Sequence, residues 1–336
     1  MQNKNKNKNN HYYGLDLLRG ISGYGVAVTH FFAFIYGSVF CEYLSFLFVE
    51  FFFVLSGFVL YPQLLQIYNN KKNLFLFYKR RWLRTLPVYF FSLIIISLIS
   101  NKLITFDFLK YFFLIQDIYP KLLDTNYFPV VWSLSIEEFF YLIFPLFILF
   151  FKKENLLRNL LYFLSALTLG KIFLLNSFDS NFIRTGTFFR FDAILLGFMA
   201  RYFYKKFSFN VSLMISVVLI FMYTYFQNYI IQHKDIISVK FFFIIFIQII
   251  SLFILLLFTN IEGLMKNRYL KKLSNLVSKQ TYSVYLFHII YIYLLTELSF
   301  TPFNKFIIYI ALLFTTSTIS YYFFEKPILE KRPKLI

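Results

Sequence analysis

Asp16, Arg19 and His30 lie on one apolar stretch near the start of the chain. Arginine holds anions or neutralises carboxylates, and histidine moves protons near neutral pH. On a helix advancing ~100° per residue the three share a sector of ~60° together with Gly23, and Arg19 and His30 stand ~16 Å apart along the axis. This makes a polar stripe down one helix face. Its plainer reading is that Arg19 snorkels to lipid headgroups while His30 hydrogen-bonds a neighbouring helix. On the next apolar stretch, Glu50 falls at a depth similar to His30. A carboxylate beside an imidazole fixes its tautomer and raises its basicity; otherwise Glu50 simply sits at the membrane interface. Ser56-Gly57 reads as a close helix contact rather than a nucleophile, and the chain has no Gly-x-Ser-x-Gly elbow.

Further along, Tyr78-Lys79-Arg80-Arg81-Trp82-Leu83-Arg84 forms a basic run in which Arg81 and Arg84 share a helix face. Such a run sets topology and attracts anionic lipid, and its guanidinium groups also suit bidentate phosphate recognition. Trp132-Ser133-Leu134-Ser135-Ile136-Glu137-Glu138 brings two carboxylates into an apolar helix, where ionisable groups are costly and mark function by default. Arg190 and Asp192 are placed to neutralise each other through neighbouring helices. His288, taken alone, reads as a satisfied core histidine, and His11 and His233 fall in solvent-facing segments.

The elements that carry these residues are set by composition. Of 336 residues, 59% are hydrophobic and 15% charged, which excludes disorder and an ordinary soluble enzyme. Apolar runs of about 20 residues recur, as a hydrocarbon core of ~30 Å requires. The fold expected is all-α, a polytopic transmembrane helix bundle of about ten spans at roughly 15–35, 44–66, 82–100, 132–151, 156–175, 188–204, 211–231, 239–259, 281–298 and 305–324. The net charge of +18 lies in short loops, which points to membrane orientation and away from nucleic acid. With both termini cytoplasmic, the outer loops hold only Lys102, Lys110, Lys121, Arg184, Lys234 and Lys305. The single Cys41 makes no intrachain disulfide, and no metal site is expected. Met1–Asn10 is a polar Asn/Lys tail, and the first apolar stretch, with no small-residue cleavage site, reads as an uncleaved helix. Residues 1–13 are thus a basic tail, 14–326 the transmembrane domain and 327–336 a short basic C-terminal tail.

Five segments in this order resemble the integral-membrane acyltransferase-3 family, which includes bacterial O-antigen acetylases. They are Leu15-Asp16-Leu17-Leu18-Arg19-Gly20 with His30; Phe52-Phe53-Val54-Leu55-Ser56-Gly57-Phe58; Trp132 to Tyr141; Tyr282 to His288; and Glu325-Lys326-Pro327. The resemblance implies a bacterial cytoplasmic-membrane enzyme that moves an acyl group, usually acetyl, from a cytoplasmic acyl-CoA to a hydroxyl of an envelope glycan or glycolipid. It implies no tightly bound cofactor, with acetyl-CoA or another acyl-CoA as donor substrate. His30 matches the family's essential histidine and Arg19 its paired arginine, while Glu50 falls where many members have Asp or Glu. Arg81 and Arg84, with Arg80 beside them, match the donor-handling Arg-x-x-Arg element. Asp16, Ser56, Trp132, Glu137, Glu138, Arg190, Asp192 and His288 would support them. Some members append an extracytoplasmic esterase-like domain; the sequence ends at Ile336 without one, which leaves room for a separate acceptor-side partner. The competing expectation is a transporter or flippase for a glycan or lipid-linked intermediate, although the inverted repeats and Gly/Pro-broken helices common in that class are not evident.

Overall fold

A computed structural model describes residues 11–175, 177–178 and 180–335. Each expected span coincides with a helix: α1 (Tyr13–Tyr36), α2 (Val39–Asn69), α3 (Asn73–Ile99), α5 (Trp132–Leu149), α6 (Leu156–Leu174), α8 (Phe191–Phe203), α9 (Phe209–Gln232), α10 (Ile237–Asn260), α11 (Arg268–Thr296) and α12 (Pro302–Ile319). Short helices α4 (Phe106–Phe112), α7 (Ser180–Thr185) and α13 (Lys326–Glu330) lie outside those spans. Among the described residues there is no strand.

Among the described residues, seven helices are long and apolar enough to cross a membrane by length and composition: α2, α3, α5, α6, α9, α10 and α12. The other three fall short for different reasons: α1 and α11 are made less apolar by their own charges, histidines and hydroxyls, and the 13 residues of α8 rise only about 20 Å against a core of ~30 Å. The expected count of ten therefore exceeds what apolar length alone supports.

Local sequence sets the helix ends. Gly37 takes a left-handed φ of 65°, closing α1, and Ser38 caps α2 by accepting from Cys41 N–H. Ser208, Asn267 and Thr301 cap α9, α11 and α12 through their side chains, with Pro302 opening the last. α12 continues into a π-helical turn, Ser320–Glu325, that brings Tyr321 and Glu325 to the interior.

The helices alternate in direction. At the end where α1 begins, here the lower end, Gly14 N–H donates to Glu262 Oε2 (3.0 Å). At the upper end Gln227 Nε2 donates to the Phe40 carbonyl (3.0 Å). α1 packs against both α2 and α11 at the centre, and α2 also lies along α8. The α2–α8 crossing is glycine-dependent on both sides. A methyl on Gly57 would stand 1.8 Å from the Ile194 carbonyl oxygen, and one on Gly197 would stand 1.9 Å from that of Val54. Backbones that close admit no side chain.

Candidate functional site

Two polar centres share the central three helices. The lower one is a cavity of about 300 Å³. α1 lines it with Asp16 and Arg19, α2 with Phe52 and Ser56, α3 with Arg81, Arg84 and Thr85, and α5 with Ser133, Glu137 and Tyr141. α11 adds Ser278, Lys279, Tyr282 and Tyr285, and the end of the chain adds Glu325 and Arg332. Five cationic side chains thus face three carboxylates there.

The carboxylates are largely engaged. Ser278 Oγ donates to Asp16 Oδ1 (3.0 Å) and accepts from Arg19 Nη1 (3.4 Å), and Arg19 stands 3.7 Å from Asp16. Glu137 accepts from Ser56 Oγ (2.7 Å) and Tyr141 O–H (3.1 Å). Glu325 accepts from Ser283 Oγ (2.5 Å). The arginines are less completely engaged. Arg81 lies with its guanidinium carbon 4.7 Å from the centre of the Tyr141 ring, while its Nε and Nη2 are buried without a hydrogen-bond partner. Burial, then repulsion from Arg84, Arg80 and Arg81, holds the Arg332 guanidinium down to about 10. Buried guanidinium donors without acceptors, with further arginines close by, have the chemistry that suits an anionic group.

Phe52 and Tyr285 face each other near the upper limit of the cavity, their ring centres 6.1 Å apart. Tyr285 O–H is bonded to the Val130 carbonyl and approaches Ser133 Oγ (2.6 Å). The second centre is His30, half-buried on α1, whose Nδ1 lies 2.9 Å from His288 Nε2 and whose Nε2 lies 3.1 Å from Ser45 Oγ. His288 is fully buried, with its Nδ1 2.7 Å from the Tyr285 carbonyl. Tyr285 therefore touches both centres, by its hydroxyl face and by its backbone.

Arg19, Asp16, Ser56, Arg81, Arg84 and Glu137 come together in the cavity, whereas His30 stands above it with His288. Glu50 is not beside His30. It is paired with Arg190, which lies 3.7 Å from Asp192, and Asp192 in turn bonds Lys171. The reason is azimuth: Ser45 faces His30, and five further residues rotate α2 by ~140°, turning Glu50 towards α8. Arg80 also departs from expectation, since its Nη1 donates to the Pro333 carbonyl (2.5 Å) and it does not line the cavity. Glu138 is buried behind the cavity wall, and Trp132 packs on Phe53 and Arg184. His11, read as solvent-facing, reaches the cavity mouth and bonds Asp16 Oδ2 at 2.5 Å. Arg332 was equally hidden, because it lies in the basic tail and returns to the site only through the turn after α12.

The family model described as an acyltransferase domain matches residues 12–325. O-acetyltransferase OatA of Staphylococcus aureus strain NCTC 8325 / PS 47 is 28% identical over 356 aligned residues, covering 95% of this chain and 57% of its own length. OatA of strain COL gives the same figures, and a second protein of that strain, SACOL0978, is 29% identical over 220 residues, 58% of this chain and 35% of its own. The chain thus spans about 57% of the length of the OatA relatives it matches. No solved structure matches it. The chain belongs to the acyltransferase-3 family.

Proposed function

We propose that this acyltransferase-family protein is an O-acetyltransferase of the bacterial cytoplasmic membrane. It transfers acetyl from acetyl-CoA, or a related acyl-CoA, to a hydroxyl of a cell-envelope glycan. The lower end faces the cytoplasm in this reading, as the concentration of lysine and arginine there favours. The observation that carries it is the cationic cavity with the unpartnered Arg81 nitrogens, in a chain of this family.

A volume of about 300 Å³ is at the lower end for a ligand pocket, and suits a narrow thioester arm better than a whole nucleotide. Arg81, Arg84, Lys279 and Arg332 hold the donor phosphates at the mouth while the arm rises past Arg19. The Phe52–Tyr285 contact is the barrier between that arm and His30, and it must part for the acyl group to reach the upper centre. There His30 takes the proton of the acceptor hydroxyl. The hydroxyl oxygen attacks the thioester carbonyl, the C–S bond breaks and the thiol leaves downward.

Membranes carrying the protein should incorporate radiolabelled acetyl into envelope glycan, and His30→Ala should abolish this at equal protein level. Transport without transfer would leave the glycan mass unchanged. Full acetylation by His30→Ala would overturn the proposal.

A further inference from the structure

The two histidines form part of a chain of hydrogen bonds whose ends are both carbonyl oxygens. In order, the links are Tyr285 O to His288 Nδ1 (2.7 Å), His288 Nε2 to His30 Nδ1 (2.9 Å), His30 Nε2 to Ser45 Oγ (3.1 Å) and Ser45 Oγ to Glu42 O (2.6 Å). Each link needs one proton. A carbonyl oxygen only accepts, a neutral imidazole carries one N–H, and a serine carries one O–H. Four links therefore share three protons while both rings are neutral.

One link must then be empty, with two lone pairs facing each other. Two placements keep both carbonyls bonded: a gap between the rings, or a gap at His30 Nε2. The longest of the four links is His30 to Ser45, which favours the second. In that arrangement His30 Nε2 holds the free lone pair, on the ring that is only half-buried. One added proton completes all four links at once.

We propose that His30 and His288 work as one proton-accepting unit, with His288 the positioning residue that makes His30 the base. This rests on the acyl-transfer reading above. As the acceptor O–H bond breaks, its proton is taken up at His30 Nε2, and the positive charge is shared with His288 as the proton already in the N–H···N link shifts between the rings. The oxygen forms the ester bond, the thioester C–S bond breaks, and its electron pair leaves on sulfur. The unit then returns its proton to the thiolate or to water.

The charged surroundings bear on this unit from few directions. From the upper loop Arg184 repels the added proton; its own guanidinium is held at about 10 by burial and Arg190, and Glu42, Asp117 and Glu50 partly offset it. α2 contributes Ser45 and the exposed Glu42, α11 contributes Tyr285, and from α12 Tyr309 gives its O–H to the Ala27 carbonyl (2.8 Å). Among the described residues no carboxylate bonds either ring. The fourth link, more than any counter-ion, is what favours the charged form.

The test is nitrogen NMR of the full chain in nanodiscs, with histidine ring nitrogens labelled, followed over pH beside the acetyl-transfer rate. In the wild type the two rings should titrate together through a single midpoint. Ser45→Ala removes two links and one proton, leaving two links with two protons, so the neutral pair is already complete. Its midpoint should fall by about one pH unit, equivalent to tenfold weaker proton binding, whereas Ser45→Thr keeps the wild-type midpoint. His288→Gln should lower kcat at least tenfold with little change in KM and move the acid limb of the pH–rate profile. Independent titration of the rings, or an unshifted midpoint in Ser45→Ala, overturns the unit even if His30→Ala abolishes transfer. A shared titration in a protein whose His30→Ala variant still acetylates glycan would sink the acyl-transfer reading and leave the proton pair standing.

Discussion

Glu50 and Arg190 allow a structural charge to be separated from a catalytic one. The buried set Lys171, Asp192, Arg190 and Glu50 contains two cations and two anions, so it is neutral as a whole. Glu50→Gln leaves it with one uncompensated positive charge among residues that are each less than a tenth exposed. Breaking a buried pair from one side costs about 3–5 kcal/mol, while removing both partners is often close to neutral. At ~2 °C per kcal/mol for a large domain, Glu50→Gln should lower the apparent Tm in detergent by on the order of 5–10 °C. The double variant Glu50→Gln/Arg190→Met leaves Lys171 and Asp192 balanced, and should regain most of that loss. Thermal unfolding followed by fluorescence-detected gel filtration measures both, with acetyl transfer assayed on the same preparations. If Glu50→Gln were as stable as the wild type yet inactive, Glu50 would be acting on substrate and the structural reasoning would fail. Failure of the double variant to recover would refute the charge balance itself.

Arg81→Lys should weaken acetyl-CoA binding by roughly tenfold or more in calorimetry, since a hydrogen bond to a charged group contributes about 1.5–3 kcal/mol and lysine does not reproduce the guanidinium fork; unchanged affinity would remove Arg81 from the donor site. Gly57→Val should prevent recovery of monodisperse protein, because its branches would enter the α8 backbone, and a well-folded variant would show the crossing to be looser than described. Asp107, in the upper loop, is partly desolvated, but the backbone N–H groups of Asp124 and Thr125 and the Lys110 ammonium outweigh burial and hold its carboxyl below the usual range. A lowered folded-state value means that its stabilisation is complete above the ordinary carboxylate range near ~3.9 and fades as pH falls through the folded value. Protease cleavage within residues 114–128 should therefore increase only in strong acid for the wild type and already at neutral pH for Asp107→Asn. Equal cleavage of the two at neutral pH would contradict the anchor.

The helices were legible because each apolar run had to satisfy its own backbone. The Asp16–Arg19 stripe was legible too, as both lie on one helix and their facing follows from period alone. What one chain segment cannot express is the rotation of its neighbour. Glu50 shares the depth of His30 but faces α8, and His288, which reads as an ordinary core histidine, faces His30 across the α1–α11 contact. Ser45 carried no signal at all, since serine in a membrane helix usually bonds its own preceding turn, as this one also does with Glu42. Arg332 and His11 were missed for a different reason: they lie in segments flanking the spans, and only the turn of the chain returns them to the cavity.

The closed contact between Phe52 and Tyr285 has a bioenergetic consequence. A bundle that handled its thioester in an open channel would offer protons and metal ions a conductive route and discharge the gradient across its own membrane. The aromatic pair stands between the cationic chamber and the imidazoles, and His288 meets Tyr285 at its carbonyl and also at its ring, the centres 5.9 Å apart, so the pair narrows any route a proton could take from one centre to the other.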